Sequence, residues 1–193
     1  MRSTAKAAVV TSCVLLVLGL SAVAAGATQN ATPKKWVSVF CSSLVTWEQT
    51  VKSQTARLDA TITRLRKGGP INLRTAKTQL TGFLVLVVGS TDVLVHKLEA
   101  VGAPAVPNGS KLQSTLLGGI GQIRTAFATG EKAAQALPTR DRAAFGSGAI
   151  RIGTKISAAG NQAQGALSGL AKYDSKALED AFKHDRACSR IGG

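Results

Sequence analysis

Between Lys34 and Lys67, apolar residues return at every seventh position: Val37, Leu44, Val51, Leu58 and Leu65. Phe40 and Trp47 add a second row beside the first. A seven-residue apolar repeat is the mark of a helix laid lengthwise against others. The pattern recurs at Leu73, Leu80, Val87, Leu94 and Val101, and again from Leu116 through Ile120, Ile123, Phe127 and Ala134 to Leu137. A fourth stripe begins at Phe145, Ala149, Ile152 and Ile156 and runs on to Leu170. Inside the second stretch, Phe83-Leu-Val-Leu-Val-Val88 is apolar all round and, taken alone, suits a buried strand. The periodic residues on both sides make it helical, while Asp92 and the limited length argue against a membrane span. A helix of that kind is expected at the centre of a bundle, buried on more than one side.

Breakers divide these stripes. Pro33 suits a first helical turn, and Gly68-Gly-Pro70 ends the first helix. Asn72 is placed to cap the second helix and Gly102 to close it. Residues 102–110, with two prolines and Asn108-Gly109, form a loop from which Ser110 can cap the third helix. Pro138 stops that helix, and Thr139 can cap a fourth running from about Arg140 to Ala171. Asp174 or Ser175 can cap a last short helix, Lys176 to Ala187. The predicted fold is all-α: an up-down-up-down four-helix bundle with a short C-terminal helix.

The first residues do not belong to that fold. Arg2 and Lys6 precede an apolar core spanning Ala7 to Leu20, and small residues with A-x-A character follow at Ala22-Val-Ala24 and Ala25-Gly-Ala27. This is the layout of a secretory signal peptide over 1–27. The rival reading, an uncleaved anchor, needs roughly 20 apolar residues, and this core is shorter. A polar leader, 28–33, and one domain, 34–193, complete the division. No transmembrane segment is expected after cleavage. Asn30 and Asn108 each head a formal N-glycosylation sequon.

Cleavage removes Cys13 and leaves Cys41, near the start of the first helix, and Cys188, near the end of the chain. Two cysteines in an exported protein point to one disulfide; free thiols or an intermolecular bridge are the alternatives. In the predicted topology the first helix begins and the fourth ends at one pole, so the last segment returns Cys188 toward Cys41. A disulfide tying the first helix to the C-terminus therefore agrees with the helix order.

The formal net charge is +14, and the exported part keeps all of it except Arg2 and Lys6. The pole opposite the cysteines collects Arg64, Arg66, Lys67, Arg74, Lys77, Lys132, Arg140 and Arg142. For an exported protein this charge suits an anionic cell-wall polymer or membrane surface, and no nucleic-acid partner is expected. A solvated basic surface without a dedicated partner explains the same residues.

Catalytic signatures are missing from the pattern. His96 and His184 lack the spacing of a metal motif, and no nucleophile elbow or P-loop is present. Gly118-Gly-Ile-Gly121 lacks the lysine and preceding strand of a phosphate loop, so small-residue packing is its reading. Neither an enzyme nor a bound cofactor is expected. Glycines 146, 153 and 160 recur by seven, and Gly165 and Gly169 form a GxxxG. Each glycine costs about 0.8–1.0 kcal/mol relative to alanine inside a helix. Close helix approach is the first expected compensation, and local looseness for a ligand is the second.

Trp36-Val-x-x-x-Cys41 with Trp47, Val101-Gly-Ala-Pro-Ala-Val-Pro-Asn-Gly109, Ala136-Leu-Pro-Thr139 with Ala144-Phe-Gly-Ser-Gly148, and the terminal Cys188 together resemble small exported helical proteins of actinobacteria, a group of unassigned function. The exported WxG proteins of the same bacteria are a weaker comparison, because Trp36 and Trp47 lack the Trp-x-Gly turn. The resemblance implies an extracytoplasmic location and transfers no active site. The expected function is a non-enzymatic bundle binding anionic cell-envelope components. The alternative is a carrier that admits an apolar ligand or haem by opening helices three and four.

Overall fold

In the computed structural model the described residues form five α-helices: α1 (Pro33–Arg66), α2 (Leu73–Val101), α3 (Gly109–Gln135), α4 (Arg142–Ser168) and α5 (Lys176–His184). A 3-10 turn over Cys188–Arg190 follows. The structure describes residues 30–66, 72–168, 173 and 175–191, with the backbone alone for 61–66 and 166–168. α1 packs along α2, α2 along α3 and α3 along α4, while α5 lies on α1. This is the expected four-helix bundle with a short C-terminal helix.

The apolar stripes build two cores rather than one. Near the cysteines, Trp36, Val37 and Cys41 of α1 meet Leu94 and Leu98 of α2, Leu112 and Leu116 of α3, and Leu178 of α5. Toward the other pole, Leu84 and Val87 of α2 meet Phe127 and Ala134 of α3 and Ile152 of α4. Among the described residues α1 and α4 form no extended pairing. The consequence shows along α1: Val37 and Cys41 are fully buried, whereas Val51 and Leu58 are only half-buried.

Cys41 and Cys188 are joined in a disulfide, with Cα atoms 4.9 Å apart. The turn that delivers Cys188 is held by Asp185, whose carboxylate accepts from the Ala187 and Cys188 N–H groups at 2.8 and 3.2 Å. α5 accordingly stops at His184, one turn earlier than its pattern predicts.

Several helix ends form as the sequence predicts. Asn72 Oδ1 accepts from the Arg74 and Thr75 N–H groups, Gly102 closes α2 at φ 74°, and Ser175 caps α5. Two caps differ. Asn108, in the left-handed region at φ 57°, precedes α3 in place of Ser110. Asp141 Oδ1 accepts from the Ala144 N–H at 3.0 Å, displacing Thr139 as the cap of α4. A carboxylate beside the helix N-terminus also gains from the dipole, which a hydroxyl does not. The leader is tied down as well: Ala31 exchanges main-chain hydrogen bonds with Ala103 and Ala105, both 2.8 Å, against the proline-rich loop.

The glycines do not behave as their spacing suggests. A Cβ on Gly146, Gly153, Gly160 or Gly165 would meet nothing within 4 Å, so close approach does not explain them; Gly169 lies outside the described residues. Gly118 and Gly121 are equally open. The tight positions are elsewhere, and in α4 they include Gly148, where a Cβ would fall inside the Leu137 side chain. A Cβ on Gly130 would stand 3.2 Å from Ile152 and Ile156, and one on Gly109 would fall deep inside the Pro104 carbonyl oxygen. Gly109→Ala is expected to cost about 3 kcal/mol, at the upper end of overpacking. Gly160→Ala is expected to stabilise by up to about 1 kcal/mol through helix propensity. Urea unfolding of both variants checks the contrast, and equal effects would remove the steric account.

Candidate functional site

α2 uses two of its sides on neighbouring helices and leaves a third open. Leu84, Val87, Thr91, Leu94 and Leu98 point inward and are buried. Gly82, Val85, Leu86, Gly89 and Val93, spaced by three and four, share the outward side. Val85, Leu86 and Val93 are 46%, 49% and 53% exposed. The apolar run at 83–88 thus exceeds what packing uses, and only 22% of the most apolar window of α2 is buried. α2 is long and apolar enough to cross a bilayer by length and composition alone. A contiguous exposed apolar strip is the informative kind of surface hydrophobe, since scattered ones are ordinary.

Exposed basic residues stand at both ends of that strip, at Arg74 and Lys97. From Arg74 to Lys97, Asp92 is the one acidic residue of α2. Asp92, at the strip's edge, is half-buried and held bidentately by Arg124 of α3, whose Nη2 donates to Oδ2 at 3.1 Å. That hydrogen bond keeps the Asp92 carboxyl below its ordinary range and the Arg124 guanidinium above its own. The pair is therefore neutral as a unit.

At the lower end of the strip lies an open concavity of about 600 Å³. Arg74, Lys77, Thr78 and Thr81 of α2 line it together with Gln135 and Thr139 near the α3–α4 turn. Lys77 Nζ donates to the Leu137 carbonyl at 3.0 Å, which pins α2 to that turn. The Thr81 hydroxyl is buried without a hydrogen-bond partner. Of the cations predicted at this pole, Arg74 and Lys77 share the concavity, and Lys132, Arg140 and Arg142 stand exposed on and beside the adjoining turn. The side chains of Arg64 and Arg66 and the whole of Lys67 lie outside the described residues. The sequence reading missed Gln135, Thr139 and the outward apolar strip; Gly82 and Gly89, seven apart beside exposed valines, were the available signal.

A second feature is predominantly apolar. Where α1 and α4 fail to pair, a cavity of about 440 Å³ opens between Leu58, Leu80, Phe83, Phe127, Phe145 and Ile156. Sequence reasoning counted these residues as core, and it placed the opening between α3 and α4. A groove does run there, lined by Gly118, Gly121 and Gly130, but its walls also carry Gln122, Thr125 and Lys155. Among the described residues the cavity lining holds no His, Cys, Met or Tyr, so these walls offer no axial ligand for haem iron.

No protein-family model, curated protein or solved structure matches the chain. The functional reading therefore rests on the residues themselves. Among the described residues, Cys41, Asp185 and Cys188 are the group whose ligand atoms converge closely enough for a metal ion. Their sulfurs are bonded to each other, which removes both thiolates as ligands. His96 and His184 are exposed, and the His184 ring Nδ1 lies 2.7 Å from the Asp180 carbonyl of its own helix.

Proposed function

We propose that the chain is an exported, non-enzymatic helical bundle that binds the anionic membrane surface of the cell envelope. The observation carrying this reading is the outward side of α2, where an exposed aliphatic strip runs from the Arg74–Lys77 concavity to Lys97 and the one acid along it, Asp92, is paired with Arg124. Aliphatic side chains gain by entering the lipid interface, and flanking cations gain from anionic head groups at about 1 kcal/mol each. A carbohydrate or polyphosphate polymer would use the cations and leave Val85, Leu86 and Val93 idle. The signal-peptide layout, the resemblance to exported actinobacterial bundles and the disulfide all fit an extracytoplasmic location.

Co-sedimentation with phosphatidylglycerol vesicles, phosphatidylcholine vesicles and purified cell wall tests the reading. Binding is expected on the anionic vesicles, weakened at 1 M salt, where the screening length falls to about 3 Å. Leu86→Asp with Val93→Asp should cost at least about tenfold in affinity. Equal binding to neutral vesicles would remove the electrostatic component. Binding confined to cell wall would move the partner to a polymer. Self-association abolished by the double variant would assign the strip to a second copy of the chain.

A further inference from the structure

The apolar cavity between α1, α2 and α4 lies apart from the outward strip and has a shape of its own. Along α4 its lining extends from Phe145 to Ser157, about 18 Å at 1.5 Å per residue. Along α2 it extends from Ala76 to Leu84, about 12 Å on the same basis. Its volume of about 440 Å³ falls within the ~300–1,000 Å³ of small-molecule sites. Among the described residues no charged side chain lines it, and the Ser157 hydroxyl is the one side-chain polar group. A long, narrow, uncharged slot excludes a compact polar ligand and suits a flexible hydrocarbon chain.

The surroundings specify the other end of that ligand. Ala76 lines the slot next to Lys77, and Phe145 lines it one turn after the exposed Arg142. A chain lying in the slot therefore ends near cations. We infer that this cavity holds the acyl chain of an anionic amphiphile, with its head group at the Arg142 end of the bundle. The position of the head group rests on the reading of that pole as an anion-binding surface; the burial of the tail does not.

Gly153 supplies the test. It lines the slot, and a Cβ there would meet nothing within 4 Å, so a larger side chain fits the backbone and fills ligand space. Gly153→Leu should also retain or raise the melting temperature, because leucine favours helix. Gly160→Leu, equally open but outside the lining, is the control. Ala149→Leu, on the same wall, is the second blocking variant.

The full chain after signal-peptide removal is titrated with saturated fatty acids of increasing length by calorimetry. Affinity is expected to rise by roughly fourfold per added methylene until the slot is full, and then to level off. Gly153→Leu and Ala149→Leu are expected to lower palmitate affinity at least tenfold, and Gly160→Leu to leave it unchanged. Absence of saturable palmitate binding, or blocking variants that are folded and bind like the parent, would overturn the inference. Hexadecanol separates the tail from the head: Arg74→Glu with Arg142→Glu should leave its binding intact while weakening palmitate. Retained palmitate affinity in that variant would reject the head-group placement alone. Mass spectrometry after incubation with phosphatidylglycerol vesicles then distinguishes a lipid drawn from the bilayer from a free fatty acid as the source.

Discussion

Reduction of the Cys41–Cys188 disulfide should lower the stability of the bundle by about 5 kcal/mol, the chain-entropy value for a bridge between cysteines 147 residues apart. For a chain of this size that corresponds to a fall of about 10–20 °C in melting temperature. The structure also indicates how the loss is distributed. α5 has nine residues, too few to persist alone in water, and it packs on α1. Its contribution to the core is Leu178, which is buried against α1 together with Ala187 from the turn. Without the covalent tie, α5 is expected to detach before α1–α4 separate. Melting with and without reductant measures the total. Amide exchange at Leu178 and Glu179, both bonded to the Ser175 carbonyl at 2.9 Å, reports the local step. A melting temperature indifferent to reductant would refute the clasp. Cys41→Ala with Cys188→Ala is the matching variant, because serine would bury a new hydroxyl at Cys41.

The second large effect is expected at Trp36. Its ring is buried and lies parallel to Phe40, centroids 5.4 Å apart. Trp36 Nε1 donates to Gln113 Oε1 at 2.8 Å, and Gln113 Nε2 donates to the Leu98 carbonyl at 2.6 Å. Leu98 lies in the last turn of α2, where carbonyls have no partner within the helix. One glutamine from α3 thus closes the end of α2 and accepts the indole N–H of α1. Trp36→Ala should cost about 3–5 kcal/mol from lost burial and the resulting cavity. Trp36→Phe keeps most of the apolar area and leaves Gln113 Oε1 buried without its donor, which should cost about 1–3 kcal/mol. Combining Trp36→Phe with Gln113→Leu should cost less than the sum of the single changes, by about 0.5–3 kcal/mol, because both residues belong to one network. Strict additivity in chemical denaturation would show that the relay contributes no coupling.

These two predictions separate what a linear reading reaches from what it does not. Cys41 and Cys188 were legible because helix order places both at one pole. The inward rows at Val37, Leu94, Leu116 and Ile152 were legible because burial enforces a period, and each is buried as that period requires. Gln113 was not legible. A single glutamine in an apolar stripe carries no sign of the indole and carbonyl it joins, from residues 77 and 15 positions away. The glycines misled for a related reason. Their spacing matched helix packing, yet the restrictive positions are Gly109, Gly130 and Gly148, and the neighbours that restrict them come from other segments of the chain.

The same division applies to the candidate sites. By itself the sequence determined an all-α bundle and its cross-link, and it predicts a basic pole, because periodicity, turn residues and charge are local properties. The tertiary structure decided which apolar faces are covered. α2 keeps Val85, Leu86 and Val93 exposed because its neighbours occupy its other sides. α1 and α4 leave a slot at Leu58 and Phe145 because each follows a different partner. A hydrophobic pattern specifies that a face gains by leaving water; whether another helix, a lipid surface or a ligand covers it depends on how long rigid helices fit together in space.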